Sequence, residues 1–316
     1  MKKITIFFFI FFFSLVFLAK NCSAQNEEKA SGFSINPFFQ EINLEKDQTE
    51  ASFDVEITNN TDYSAIFKLS VVDFGALNES GGVAFLGSSE NFTNKYSLVP
   101  WISLEKDILM IDSGEKQAVK ATIQNKESLS PGGHYAAIMA KLDNGSNGGG
   151  NKPAIVLNPS FSSLIFMRKL GGEIYGLNLK DQEIIKGIFG LPKNVQLNFQ
   201  NTGNVHLVPR GTVTLVDPLG RVVARGIINQ ESALILPETF RVFPTVLRPM
   251  VMAFVPGKYK LIIAYRYDGE TNFSLWEMNF YSMLAPFFIL ILVLIVGIFV
   301  YLCFCWKKKT NDRRKR

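Results

Sequence analysis

Between residues 33 and 280 apolar and polar residues alternate with a period of two. Phe53, Val55 and Ile57 alternate with Asp54 and Glu56; Phe67, Leu69 and Val71 with Lys68 and Ser70; Val119, Ala121 and Ile123 with Lys120 and Thr122. The second half keeps the habit at Val195, Leu197 and Phe199 and again at Tyr259, Leu261, Ile263 and Tyr265. A two-residue period with one polar face is what half-buried antiparallel strands require. Outside an apolar run near the C-terminus, no stretch holds a helical period over three turns. The acidic pair Asp54 and Glu56 lies two apart, so it shares the solvated face of its strand.

Turn signals punctuate these strands. Asp217-Pro218-Leu219-Gly220 places Pro second and Gly fourth in a type I turn, which predicts a hairpin between Val213–Val216 and Val222–Val223. An Asn-Thr pair occurs at Asn60-Thr61 and again at Asn201-Thr202, each between two alternating runs. Each half also continues to a Pro-Gly turn, a Tyr and a further strand, at Pro131–Tyr135 and Pro256–Tyr259. The repeat predicts an all-β chain of two tandem immunoglobulin-like β-sandwiches, residues 33–170 and 171–280, with the boundary near Gly171-Gly172. Tyr135 and Tyr259 are expected at the corners of the two domains, each hydroxyl bonded to backbone of its own sandwich. The run DNGSNGGGNK at 143–152 reads as a flexible loop between the last two strands of the first domain.

The two ends of the chain follow other patterns. Lys2 and Lys3, an apolar run from Ile4 to Ala19 and a small-residue exit at Cys22-Ser23-Ala24 form a secretory leader over 1–24. Lys20 and Asn21 before Cys22 stand against a lipidation site. Leu284 to Cys305 carries no charge over 22 residues, close to the ~20 that cross a hydrocarbon core as a helix. With Trp306 at its edge and KKKTNDRRKR after it, the segment 284–306 predicts a spanning helix with a basic cytoplasmic tail at 307–316.

Charge changes the picture once the ends are set aside. The chain has 33 Lys and Arg against 28 Asp and Glu. Three of the cations lie in the leader and seven, with one Asp, in the tail, which leaves 23 against 27 for the exported part. A mildly acidic ectodomain argues against a nucleic-acid partner. It also lacks cysteine, since Cys22, Cys303 and Cys305 all fall in the terminal segments. That is unusual for a eukaryotic extracellular module and points to a bacterial surface.

No enzyme signature is present. His134 and His206 are the only histidines and form no zinc set, and no Gly-x-Ser-x-Gly, phosphate-cradling or His-Glu-x-x-His motif occurs. Catalytic, cofactor-binding and metal sites are therefore expected to be absent. Trp101 is a candidate partner contact, although a Trp in a sandwich more often covers core.

Residues 97–142, SLVPWISLEKDILMIDSGEKQAVKATIQNKESLSPGGHYAAIMAKL, resemble the N-terminal part of the DUF916 family of surface proteins, also called WxL-interacting proteins. The segment NTGNVHLVPRGTVTLVDPLGRVVARG with LPETFRVFP resembles that family's second sandwich. The resemblance implies a cell-surface binding protein, its first domain associated with peptidoglycan and its second with a host or partner protein. Fimbrial chaperones also have two sandwiches, but they are soluble. Two readings follow: a membrane-anchored module holding an envelope polymer or a surface protein, or a membrane-tethered chaperone-like assembly factor for exported surface proteins.

Overall fold

The structure is a computed structural model that describes residues 32–87, 95–143, 159–187, 190–282 and 284–314. The leader and most of the 143–152 loop lie outside the described residues. Among the described residues ten strands form the first domain: β1 (Phe33–Asn36), β2 (Phe39–Leu44), β3 (Glu50–Asn59), β4 (Ala65–Ala76), β5 (Val83–Gly87), β6 (Ile102–Leu104), β7 (Ile108–Ile111), β8 (Lys116–Gln124), β9 (Gly132–Leu142) and β10 (Ser160–Lys169). Eight form the second: β11 (Leu177–Lys186), β12 (Pro192–Asn201), β13 (Pro209–Val216), β14 (Val222–Ile228), β15 (Phe240–Val246), β16 (Arg248–Pro249), β17 (Lys258–Tyr267) and β18 (Ser274–Tyr281). A helix, α1 (Leu284–Arg314), follows.

Each domain is two sheets face to face. The first stacks β1-β3-β8-β6 on β2-β10-β9-β4-β5, with β7 added to β4; the second stacks β11-β12-β15 on β16-β14-β13-β17-β18. The chain changes sheet between β1 and β2, through a cis Asn36–Pro37 peptide. After it β2 runs parallel to β10, while the other pairings are antiparallel. The alternating runs supply the cores. Phe53, Val55 and Ile57 of β3 face β8 and β9 residues in the first, and Val195, Leu197 and Phe199 of β12 meet Leu261 and Ile263 of β17 in the second. Asp54 is exposed and Glu56 pairs with Lys116 at 2.9 Å, on the solvent side of β3.

Strand β9 breaks the alternation. Eight of the first nine positions from Gly132 are buried, because sheet β2-β10-β9-β4-β5 is covered on both faces. A strand enclosed on both sides loses its polar face and favours small residues, and here Ala136, Ala137 and Ala140 supply them. Inside lies the sandwich core. Outside, Val72, Phe74, Tyr135, Ala137 and Phe166 make a second patch, against which Leu234 and Leu236 of the other domain pack.

The hairpin at Asp217 forms between β13 and β14. Gly220 takes φ +80°, a left-handed conformation that Gly adopts without steric cost. Asp217 is buried, accepts the backbone N–H of Leu219 and Arg221, and holds the Arg221 guanidinium at 2.7 Å. Desolvation raises the Asp217 carboxyl pKa, but those bonds to Arg221 and Leu219 outweigh it and leave the group below its ordinary range.

Helix α1 begins three residues after the end of β18, and its side chains from Phe288 to Phe304 are all exposed. Only those and Trp306 are described along it, and among the described residues no helix is long and apolar enough to cross a membrane. The structure does not establish the spanning segment expected at 284–306.

Candidate functional site: the joint and cleft between the two sandwiches

A repeated Asn closes one corner of each sandwich, one residue away from where the sequence placed it in the first domain. Asn59, the last residue of β3, corresponds to Asn201, the last of β12. Both are fully buried. The Asn59 amide donates to Tyr63 O and Ile111 O, and its oxygen accepts the N–H of Thr61. The Asn201 amide donates to Val205 O and Ile235 O, and its oxygen accepts the N–H of Gly203. Each side chain thus bridges the residues two and four places on, together with a carbonyl from a distant loop. A buried amide is tolerated because its bonds are satisfied. The expectation of equivalent turns at Asn60 and Asn201 is corrected by this one-residue offset: Asn60 follows the residue that does the bridging.

The loop after Asn201 presents Asn204 and His206 to the first domain. Gly133 N–H donates to Asn204 O at 2.8 Å, while the Asn204 side chain accepts from Ile174 N–H at 2.6 Å and donates to Gly172 O at 2.9 Å. A side chain on Gly133 would collide with the Tyr135 hydroxyl, so the Pro-Gly-Gly sequence lets this corner come close to the second domain.

Tyr135 differs from expectation. Its hydroxyl does not bond backbone of its own sandwich; it meets Nδ1 of His206, across the joint, at 3.2 Å. Its ring packs edge-on to Phe166 and His206, at 5.7 Å from each. The physical reason is the second covered face of β9, which turns this corner toward another domain instead of closing it on itself. Tyr259 keeps its hydroxyl within its own domain, donating to Val255 O at 2.7 Å.

The tautomer of His206 follows from its neighbours. The Arg168 guanidinium can only donate, and its Nη2 lies 3.4 Å from His206 Nε2, so Nε2 is the acceptor and Nδ1–H donates to the Tyr135 hydroxyl. Burial, with the Arg168 charge added, pushes the His206 pKa down to about 3. The ring is neutral at neutral pH.

Beside this joint opens a cleft of about 720 Å³. Phe39, Glu41 and Arg168 line it from the first domain; Tyr175, Arg210 and Tyr267 are among its residues from the second. Tyr175 and Tyr267 stack at 5.4 Å with 11° between their planes, and the Arg168 guanidinium lies over the Tyr175 ring at 6.0 Å. Arg210 is engaged, with Asp268 at 3.1 Å and Ser232 Oγ at 2.7 Å. Arg168 Nε is buried without a hydrogen-bond partner. That nitrogen faces the interior, but the half-buried guanidinium as a whole stands at the cleft wall, where its charge can meet an anionic group.

A second bridge crosses the joint on another side. The turn between β4 and β5 reaches over the free edge of β15: Val242 N–H donates to Glu79 O at 2.8 Å, and Asn198 donates to the Glu79 carboxylate at 3.0 Å. Lys95 and Glu238 pair at 2.6 Å nearby.

Trp101 does not line the cleft. It is half-buried on the first core, donates to Ser128 Oγ at 3.3 Å and stands edge-on to His134 at 5.9 Å. Among the described residues no group of three or more His, Cys, Asp or Glu gathers as a metal site. Arg168, Asn204 and His206 carry the joint and cleft, yet no motif marks them. The one signal for them was the loss of alternation in GGHYAAIMAKL, which betrays a strand covered on both faces.

Fold and cleft together define a mostly β chain of two immunoglobulin-like sandwiches fixed head to tail. No protein-family model matches the sequence, and no curated protein matches it. Among solved structures it is similar to a chain of the chaperone–tip adhesin complex of CFA/I fimbriae biogenesis, at 11% identity over 80% of this chain and 100% of that one, with a TM-score of 0.44. It is similar also to the class 5 fimbriae chaperone CfaA, at 10% identity over 78% and 98%, with a TM-score of 0.42. The E. coli chaperone DraB gives 14% identity over 78% and 96%, with a TM-score of 0.33. Likenesses this distant do not decide a ligand or an activity.

Proposed function

We propose that this chain is a membrane-tethered, non-enzymatic holding factor that receives another exported protein in the cleft between its sandwiches. The observation that carries the reading is Arg168, a half-buried cation at the cleft wall, beside the stacked Tyr175 and Tyr267. Aromatic walls around a fixed cation suit a protein segment that brings both apolar side chains and a carboxylate. A joint held by apolar packing and backbone bonds keeps the two walls at a set spacing, so little ordering is needed on binding. The solved structures named above include fimbrial chaperones, which agrees with an assembly role, and a place among the DUF916 proteins belongs to the same proposal. Tethering rests on the sequence: 22 uncharged residues from Leu284 to Cys305 make about 33 Å of helix, against ~30 Å of hydrocarbon.

The test is capture by the full chain in detergent, offered newly exported surface proteins and, separately, purified wall sacculi. Exported proteins should be retained, and Arg168→Gln should lower retention on the order of tenfold, with circular dichroism checking that the variant is still folded. Retention of sacculi alone would replace this reading with polymer binding.

A further inference from the structure

The far end of the second domain, opposite the cleft, gathers three elements. The hairpin turn at Asp217–Arg221 is there, because Val216 pairs with Lys260 near the start of β17. The segment from Met250 to Gly257, which leads into β17, is there too, tied back by Met250 N–H to Val223 O. So is the end of β18, since Lys258 pairs with Tyr281 and Ser282 N–H donates to Gly257 O at 3.0 Å. Helix α1 begins two residues later.

This end is apolar and exposed. Leu219, Met250, Val251, Met252, Phe254 and Tyr281 all project from it, Met252 at 79% exposure and Tyr281 at 77%. Met252 and Phe254 would be costly in water without a cover, and contiguous exposed apolar residues mark contact surfaces. Around them stand the exposed cations Lys186, Lys193, Arg248 and Lys258. The acid within the hairpin, Asp217, is buried and bonded to Arg221, and Glu277 on β18 is bonded to Lys260 at 3.1 Å.

We infer that this end of the second sandwich docks on the outer leaflet, with the Met250–Phe254 loop and Leu219 entering the interface and the cations meeting anionic headgroups. The inference rests on the proposed tether, because what fixes lipid as the occupant is the exposed apolar helix that leaves the same end. A domain joined to its spanning helix by two residues is held against the bilayer, so this face cannot point elsewhere. Apolar side chains ringed by cations are the composition of a shallow interfacial contact. Docked in this way, β17 sets the cleft about 30 Å above the surface, by ten residues at the rise of a strand. The cleft then faces arriving proteins.

The test uses the full chain in vesicles of phosphatidylcholine and phosphatidylglycerol carrying a phospholipid with a photoreactive acyl chain, with labelled peptides mapped by mass. Label on both 284–305 and 250–254 is expected, with none on the 268–273 turn at the opposite end. Met252→Asp with Phe254→Asp should lower the loop label roughly fivefold and leave the helix label intact. A labelled helix with an unlabelled wild-type loop overturns the docking and leaves the tether standing. Label on neither segment overturns the tether and the docking with it.

Discussion

The two sandwiches share a corner plan, and their corresponding ends meet different things. In the first domain the end that begins β9 abuts the second domain, so Tyr135 reaches out to His206. In the second domain the same end begins β17 and meets no other sandwich among the described residues, so Tyr259 closes on Val255 O in its own domain. The far corners match more closely: Asn59 and Asn201 are both buried and both bridge positions two and four residues on. Repetition therefore holds where each domain must satisfy its own backbone, and fails where a neighbour supplies the partner.

The largest effect is expected at the matched corners. Replacing Asn201 by Leu takes the side-chain partner from Val205 O and Gly203 N–H in a buried site, at about 1–3 kcal/mol for each group left unpaired, while Ile235 O keeps the Leu207 N–H. Asn59→Leu takes the side-chain partner from Ile111 O and Thr61 N–H in the same way, while Tyr63 O keeps the Thr61 hydroxyl. Each variant should lose about 3 kcal/mol or more in its own domain, read by hydrogen exchange resolved by strand. A loss at one corner with none at the other would break the equivalence.

The mismatched corners predict a pH effect of intermediate size. His206 titrates near 6.5 when unfolded and at about 3 when folded, lowered by burial and then by Arg168. Above pH 6.5 neither state holds the proton, so the joint has its full strength. Between 6.5 and about 3 the unfolded chain binds a proton that the folded chain does not, and stability falls by up to ~1.4 kcal/mol per pH unit. Denaturant titrations from pH 8 to pH 4.5 should show this slope, and His206→Gln should reduce it, leaving the part due to His134, whose pKa burial also lowers. Tyr135→Phe removes the acceptor of Nδ1–H and should cost about 1–3 kcal/mol, felt by both domains. Tyr259→Phe should be felt by the second domain alone.

Strands were legible because alternation is a local property: Phe53 to Ile57 and Val195 to Phe199 name their own buried faces. Gly220 was legible for the same reason, since its turn is built from four consecutive residues. The joint was not. His206 looks like any residue after an Asn turn, and its role comes from Tyr135 and Arg168, 71 and 38 residues away in the chain. The Asn offset shows the limit from another side: Asn59 and Asn60 are adjacent and identical, and only the register of β3 against β8 decides which one turns inward.

The smallest effect separates the two ways the joint could be held. Lys95 and Glu238 lie 2.6 Å apart across it, but their side chains are 65% and 57% exposed. Hydrogen bonding to Glu238 raises the Lys95 pKa, and the reciprocal bond lowers that of Glu238. Both charges stay solvated, and pairs of this kind contribute about 0–1 kcal/mol, less as salt rises. Leu234 and Leu236, by contrast, cover the Tyr135 and Phe166 patch, where removing one buried methylene costs about 0.8 kcal/mol or more. Lys95→Ala should therefore leave the joint within ~0.5 kcal/mol of wild type, and Leu234→Ala should weaken it clearly in the same denaturant titration. If Lys95→Ala separates the melting of the domains and Leu234→Ala does not, charge rather than the covered face of β9 holds the sandwiches together, and the account of why Tyr135 differs from Tyr259 fails with it.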